Sequence, residues 1–473
     1  MASYFGDERD DPFNLPYVYG DTSVIAGIPA TARTSPCRLL IIGDSTSTPN
    51  GLGSRSVAKL NSVLGDRFGN CGSGLMPWQA GSGGTGRGTD GYGGVLNTDG
   101  SLTGAANAAW SEGDELPWGL AGRDYGDTAN ASGDRPFYAL YSPQGSTGVN
   151  GGDTPVVTAR DRVAETVTAR VYAVSNGHTL SVQPFTRSNA ALSWFVNTAD
   201  GSATTQVLDD AGSIHAVDVA LTQAADKNVG VWVDSTSNVD TVTIIGVEFI
   251  RGVGVSIASW SAGGRTLGSH ADGYGDVTHG AKWREMLATH DPSYVLILLG
   301  TNDALQAATI GEVKTDLENL LDQIRVALPN TGIIVGNGAP IDNGQYKTGT
   351  TPQLTSAQWD IHVGIPQAIY DVVNNYDDGV CGINLRRELY DRGWIPRRSV
   401  GETISPSGTT LPTTIEGFVN NGGGTGQDSY HWNSNADGVA SYAAALFDLL
   451  TTPFGGGKRT LGIGLGAGMG LGV

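Results

Sequence analysis

Four consecutive apolar residues, Leu39-Leu40-Ile41-Ile42, run straight into Gly43-Asp44-Ser45, and that short passage leaves few folds open. A run this brief offers no polar face to water, so it suits a strand covered on both sides, as in a parallel sheet between helices. Beyond the turn, Val57, Leu60, Leu64 and Phe68 recur at helical spacing, with Ser54 placed to cap the helix. The same grammar returns after residue 251. Tyr294–Leu299 predicts a second buried strand, and Val313, Leu317, Leu320, Leu321, Ile324 and Leu328 form a helical stripe. Ile333–Val335 is a further strand, and a helix over 357–375 contains Pro366, which predicts a kink. Val439, Tyr442, Leu446 and Leu450 mark a last helix.

The intervening sequence follows other rules. Between 71 and 153, 21 of 83 residues are glycine, interspersed with Trp78, Trp110 and Trp118, which predicts long loops with a role of their own. From 155 to 250 the runs Thr166–Ala173, Thr179–Val182, Ser193–Val196, Ile214–Leu221, Val229–Val233 and Val242–Ile250 are rich in Val, Ile and Thr and separated by turn residues. That pattern predicts an antiparallel sandwich or jelly roll. Trp194 and Trp232 within it suit core packing better than stacking on sugars. The expected organisation is an N-terminal extension (1–36), an α/β domain in two halves (37–70 and 251–452), a glycine-rich loop region (71–154), a β-sandwich insert (155–250) and a Gly/apolar tail (453–473).

With 28 Lys plus Arg against 47 Asp plus Glu, the net charge of −19 opposes electrostatic binding to nucleic acid or to an anionic membrane. No segment reaches the ~20 apolar residues of a membrane span, and the first residues lack the basic start and apolar run of a secretory signal. Cys37, Cys71 and Cys381 are scattered, which indicates neither a disulfide framework nor a zinc site. Gly455-Gly456-Gly457-Lys458-Arg459 lacks both the leading strand and the hydroxyl residue of a phosphate loop. No metal or cofactor is expected.

Three short motifs stand beside the elements just described. Gly43-Asp44-Ser45 follows the first strand at its carboxyl end, where open α/β sheets bind ligands. Gly300-Thr301-Asn302-Asp303 follows Tyr294–Leu299 in the same way, and Asp428-Ser429-Tyr430-His431 precedes the last helix. Each alone reads equally well as a turn or helix cap, and His431 as a packed surface histidine, the reading preferred for the other six histidines. Their order and placement together point to chemistry. A metallophosphoesterase also uses GD and N–D segments, but further His and Asp ligands do not stand near either one.

Together the motifs resemble the SGNH/GDSL hydrolase family, over 37–70 and 251–452. The resemblance implies a flavodoxin-like three-layer α/β domain, here interrupted by the all-β insert. It implies that Ser45 is the nucleophile, His431 the general base and Asp428 its orienting acid. The backbone N–H of Ser45 and the side chain of Asn302 would form an oxyanion hole with a second-block glycine. Within Ser261-Ala262-Gly263-Gly264-Arg265-Thr266 that glycine is Gly264, with Gly263 as the alternative. Gly43, Asp44, Gly300 and Asp303 would support the site. Trp432 stands after the histidine where many members carry proline.

The chemistry is coherent without the name. A serine hydroxyl needs a neighbouring imidazole to take its proton, a carboxylate fixes that ring's tautomer, and N–H donors stabilise the oxyanion. The expected function is removal of O-acetyl or similar small acyl groups from a glycan, with a lipase-type esterase still open. Scarce lysine (6 against 22 Arg), abundant glycine loops and no visible export signal also suit a virion tail protein acting on host-surface polysaccharide, or a structural tail protein with an inert triad. From Leu461 to Val473 glycine alternates with apolar residues, so an extended chain would present one apolar face. That face is expected to dock on another subunit or particle protein.

Overall fold

The computed structural model describes residues 15–47, 52–77, 86–88, 91–96, 102–103, 116–120, 123–125, 137–141, 165–175, 179–188, 197–199, 204–208, 212–223, 227–235, 242–338, 355–376, 379–391, 403–404, 409–410 and 436–451. Asp428, His431, Trp78, Trp110, Ser193–Val196 with Trp194, and the tail 453–473 lie outside them.

Six strands make the α/β sheet: β1 (Val18–Gly20), β2 (Pro36–Gly43), β3 (Gly254–Ser261), β4 (Tyr294–Leu299), β5 (Gly332–Asn337) and β6 (Val380–Ile383). Their order is β1-β6-β5-β4-β2-β3. All neighbours are parallel except β1, which pairs antiparallel with β6 at the edge. Counted from β2, the parallel strands therefore lie in the doubly wound order 2-1-3-4-5, whose winding reverses between β2 and β4. A crevice opens beyond the carboxyl ends at such a reversal.

Successive strand residues face opposite sides, and both sides are covered. Leu39 and Ile41 pack with α1 (Ser23–Thr34), α2 (Leu52–Phe68), α8 (Leu385–Asp391) and α9 (Ala436–Thr451) through Ile28, Leu64, Leu389 and Leu446. Leu40 and Ile42 share the other layer with α3 (Leu267–Gly275), α4 (Gly280–His290), α6 (Ile310–Ala327) and α7 (Ser356–Asn375). The α6 stripe is buried as its spacing predicts, and truncating one of its leucines to alanine costs roughly 2–5 kcal/mol. Thr309 and Glu312 close a reciprocal cap at its start, and Pro329 follows Leu328 at its end.

Helix α7 runs through Pro366 as one element, and the His362 carbonyl, which a proline four residues on cannot bond, accepts from Arg386 Nη1. Three expectations change. Helix α2 begins at Leu52, so Ser54 lies in its first turn rather than at the cap. Residues 18–34 are no extension, because β1 and α1 complete the sheet edge and one helix layer. Finally, among the described residues, six strands stand within 71–154 (72–77, 86–88, 91–96, 102–103, 123–125 and 137–141). Glycine hides them: a strand such as Gly91-Tyr92-Gly93-Gly94 shows no apolar alternation to read.

The chain leaves the α/β sheet and returns to it at one place. Asn70 bridges Val255, Val255 N donates to Gly69 O (2.9 Å) and Arg251 N to Cys71 O (2.8 Å). Between these points, strands including 137–141, 179–188 and 227–235 form one antiparallel sheet, and 72–77, 165–175, 213–223 and 242–250 another. Val182 and Val231 of the first sheet share a core with Val171, Val217 and Val247 of the second. Trp232 is half-buried with its ring centroid 4.5 Å from that of Phe185, a packing role.

A buried polar cluster joins the two regions. Arg38, near the start of β2, donates Nε to Glu248 Oε1 (3.0 Å) and Nη2 to Glu248 Oε2 (2.6 Å), while Tyr172 OH donates to the same Oε2 (2.9 Å). Burial works to raise the Glu248 carboxyl, but the Arg38 guanidinium and the other groups around it together hold it down at about 2. No helix among the described residues is long and apolar enough to cross a membrane.

Candidate functional site

The turn after β2 is built by its own aspartate. Asp44 Oδ1 accepts from Thr46 N (2.9 Å) and Thr46 Oγ1 (2.7 Å), and Ser47 N donates to Asp44 O (3.0 Å). These bonds reverse the chain within the sheet's crevice. Of residues 43–47, Ser45 alone is not fully buried. Ser259 Oγ fixes the turn from below by donating to Ser47 O, and sits 2.9 Å from Ser261 Oγ.

The loop after β3 runs alongside. Gly263 is exposed and so close that a Cβ placed on it would stand 3.9 Å from Ser45 Cβ. Gly264 takes φ +76°, and its carbonyl accepts from Gln306 Nε2 (2.7 Å). Thr266 and Ser269 then cap α3 reciprocally.

Across the winding reversal, Gly300 ends β4 at φ +114°, a conformation that favours glycine, and starts the short helix α5 (Thr301–Leu305). That bend delivers Asn302 and Asp303 to the same loop. Asn302 Nδ2 donates to Arg265 O (3.0 Å), which commits one of its two N–H bonds and leaves the second as a candidate oxyanion donor. Asp303 is buried and accepts from Leu267 N (3.0 and 3.3 Å), at the N-terminus of α3. Burial pushes its carboxyl up to about 7, against the pull of that N–H. The structure thus brings Gly43, Asp44, Ser45, Gly263, Gly264, Gly300, Asn302 and Asp303 to one end of the sheet.

His270 was expected to be a surface histidine, and it is not. It lies in the first turn of α3, fully buried, with Nε2 3.3 Å from Gly43 O, two residues before the serine. The bond fixes Nε2 as the protonated nitrogen, and burial lowers the pKa to about 4. His290 and His362 are buried as well. The only sequence cue to His270 was its place four residues after Thr266.

Helix α9 approaches from the far side of the chain. Its buried Tyr442 lies against Thr46 and Ser47 of the turn after β2. His431 precedes Ala436 by five positions, a tether of at most about 18 Å. Among the described residues no group of three or more His, Cys, Asp or Glu is placed to hold a metal ion.

Residues 250–389 match the GDSL-like lipase/acylhydrolase family. No curated protein sequence matches the chain. Among solved structures, one described as a peptidoglycan O-acetylesterase in action is 16% identical, with a TM-score of 0.54 over 94% of this chain and 96% of that one. The two share a fold along nearly their whole lengths. A family two carbohydrate esterase from Clostridium thermocellum in complex with cellohexaose is 13% identical and covers 60% of this chain and 89% of its own, at a TM-score of 0.26.

Proposed function

We propose that this ester hydrolase works as a member of the GDSL-like lipase/acylhydrolase family, which the match over 250–389 supports, and that it removes O-acetyl or similar small acyl groups from a glycan. The observation that carries the reading is the meeting of Ser45, the glycine pair 263–264 and Asn302 at the winding reversal of the sheet. Ser45 Oγ attacks the acyl carbon as its proton passes to His431, oriented by Asp428. The tetrahedral oxyanion takes N–H bonds from Ser45, Asn302 and Gly264, with Gly263 as the neighbouring alternative. Collapse expels the sugar alkoxide, which takes the proton back from the imidazolium. Water then attacks the acyl-serine by the same route and releases the carboxylic acid. The packing of α9 against Thr46 supports the roles given to His431 and Asp428, since His431 stands only five positions before Ala436 in the sequence.

The glycan substrate is supported by the fold shared, all-β region included, with a structure described as a peptidoglycan O-acetylesterase. That region, taken as a jelly-roll-type module, would present the polymer to the crevice. A serine-directed fluorophosphonate probe should label the wild type and leave Ser45→Ala unlabelled. Acetate release from acetylated glycans should outpace hydrolysis of long-chain esters. Faster turnover of the long chains would make the protein a lipase, and an unlabelled wild type would mean an inert triad.

A further inference from the structure

One piece of the all-β region reaches the edge of the crevice. In Leu116-Pro117-Trp118-Gly119-Leu120, the two leucines are buried in the core layer that holds Leu267, Tyr274 and Trp283. Gly119 adopts φ +84° against the end of β3, where a Cβ would stand 2.7 Å from Ser261 N, so only glycine allows this approach. Trp118 is thereby held beside the site. Its Nε1–H donates to Ser269 O (3.1 Å), and its ring meets Trp283 edge-on at 5.8 Å.

Arg265 lies on this indole, its guanidinium carbon 3.5 Å from the ring centroid. It directly follows Gly264, and its carbonyl holds Asn302 Nδ2. Among the described residues no carboxylate pairs with the guanidinium, and its Nε is buried without a hydrogen-bond partner. A half-buried cation with no counter-ion among the described residues is unusual beside the proposed nucleophile of a chain whose net charge is −19. Stacking already restricts the side chain, so little further ordering is needed when the planar fork of N–H donors meets a planar anion.

We propose that Arg265, braced by Trp118, binds a carboxylate on the glycan, so that the preferred substrate is an acylated acidic sugar. The proposal rests on the glycan-esterase reading and names its substrate class. A local cation also offsets the repulsion that the acidic protein as a whole exerts on such a polymer.

The test pairs an O-acetylated uronic-acid oligosaccharide with its carboxyl-reduced counterpart. Wild type should favour the acidic substrate by about tenfold or more in kcat/KM, mainly through KM, the gain from charge-assisted hydrogen bonds. That preference should shrink with added salt. Arg265→Gln should remove the preference, Arg265→Lys should restore part of it, and Trp118→Phe should weaken it. Equal turnover of both substrates by wild type would overturn the proposal. So would an equal loss on both in Arg265→Gln with an unchanged melting temperature, which would leave Arg265 only a staple between the regions. Binding of the deacetylated acidic oligosaccharide to Ser45→Ala tests the subsite without turnover. Binding there that Arg265→Gln abolishes supports it even if the esterase reading fails, and its absence counts against the subsite alone.

Discussion

The α/β sheet and the all-β region bury apolar surface by opposite means. In β2 every residue from Leu39 to Ile42 is buried, alternate ones facing alternate helix layers. In the strand 213–223, Val217, Val219 and Leu221 are buried, and the residues between them are exposed. A parallel strand covered on both faces keeps only its ends for chemistry, and both ends of β2 are used. Its carboxyl end carries the turn that holds Ser45, the proposed nucleophile, and its amino end carries Arg38, locked to the all-β region. The all-β region meets the α/β domain at the Arg38 cluster, at the Trp118 segment and along α4, where Ile214 N donates to Glu285 Oε1 (2.7 Å).

The largest effect expected separates the carboxyl end from everything else. Ser45→Ala and His431→Ala should each lower ester turnover by roughly 10⁴-fold or more, because members of such a unit fail together. Thermal stability should barely change. Substantial turnover in Ser45→Ala would remove the chemistry from this end of the sheet.

At the amino end the order reverses, with stability lost and chemistry kept. Glu248→Gln leaves the Arg38 guanidinium buried without its carboxylate, which costs roughly 3–5 kcal/mol. Denaturant titration should show that loss. Replacing the pair together (Arg38→Met with Glu248→Leu) should recover much of it, since an apolar pair of similar volume needs no desolvation. If the double variant is as unstable as the single one, the cluster is not what joins the regions.

Asn302→Ala should fall between these, lowering kcat by about 10²–10³ through one lost oxyanion donor. KM should stay near its wild-type value. A change confined to KM would make Asn302 a brace for Arg265 O and no more.

Local grammar explains how much could be read in advance. The buried runs 39–42 and 294–299 and the stripe of α6 are contiguous or periodic, so the α/β sheet was legible, as was the pairing of GDS and GTND motifs with strand ends. Strands at 86–96 escaped because glycine carries no hydrophobic signal. Contacts between distant positions escaped for another reason: Gly43 and His270 lie 227 positions apart, and Trp118 meets Arg265 across the whole sandwich sequence. Nothing local to either residue announces the other.

His270 therefore supplies the smallest and most discriminating expectation. It reaches the site only through the Gly43 carbonyl, so its expected role is that of a positioning residue. His270→Phe keeps the volume and strips that carbonyl of its donor. A lost hydrogen bond of roughly 1–1.5 kcal/mol corresponds to about a tenfold fall in kcat, with KM little altered. A second readout follows from its titration. The folded protein holds this imidazole neutral down to about 4, whereas the unfolded chain takes up its proton near 6.5. Between those values the unfolded state binds the extra proton, so stability falls as pH falls through that window. His290, lowered by burial to about 3, acts in the same direction. His270→Phe should make the decline in melting temperature from pH 6.5 to 4 shallower, and the His290 contribution should remain. A variant with normal kcat but the shallower decline would show that His270 fills the core beneath the turn without setting the position of Ser45.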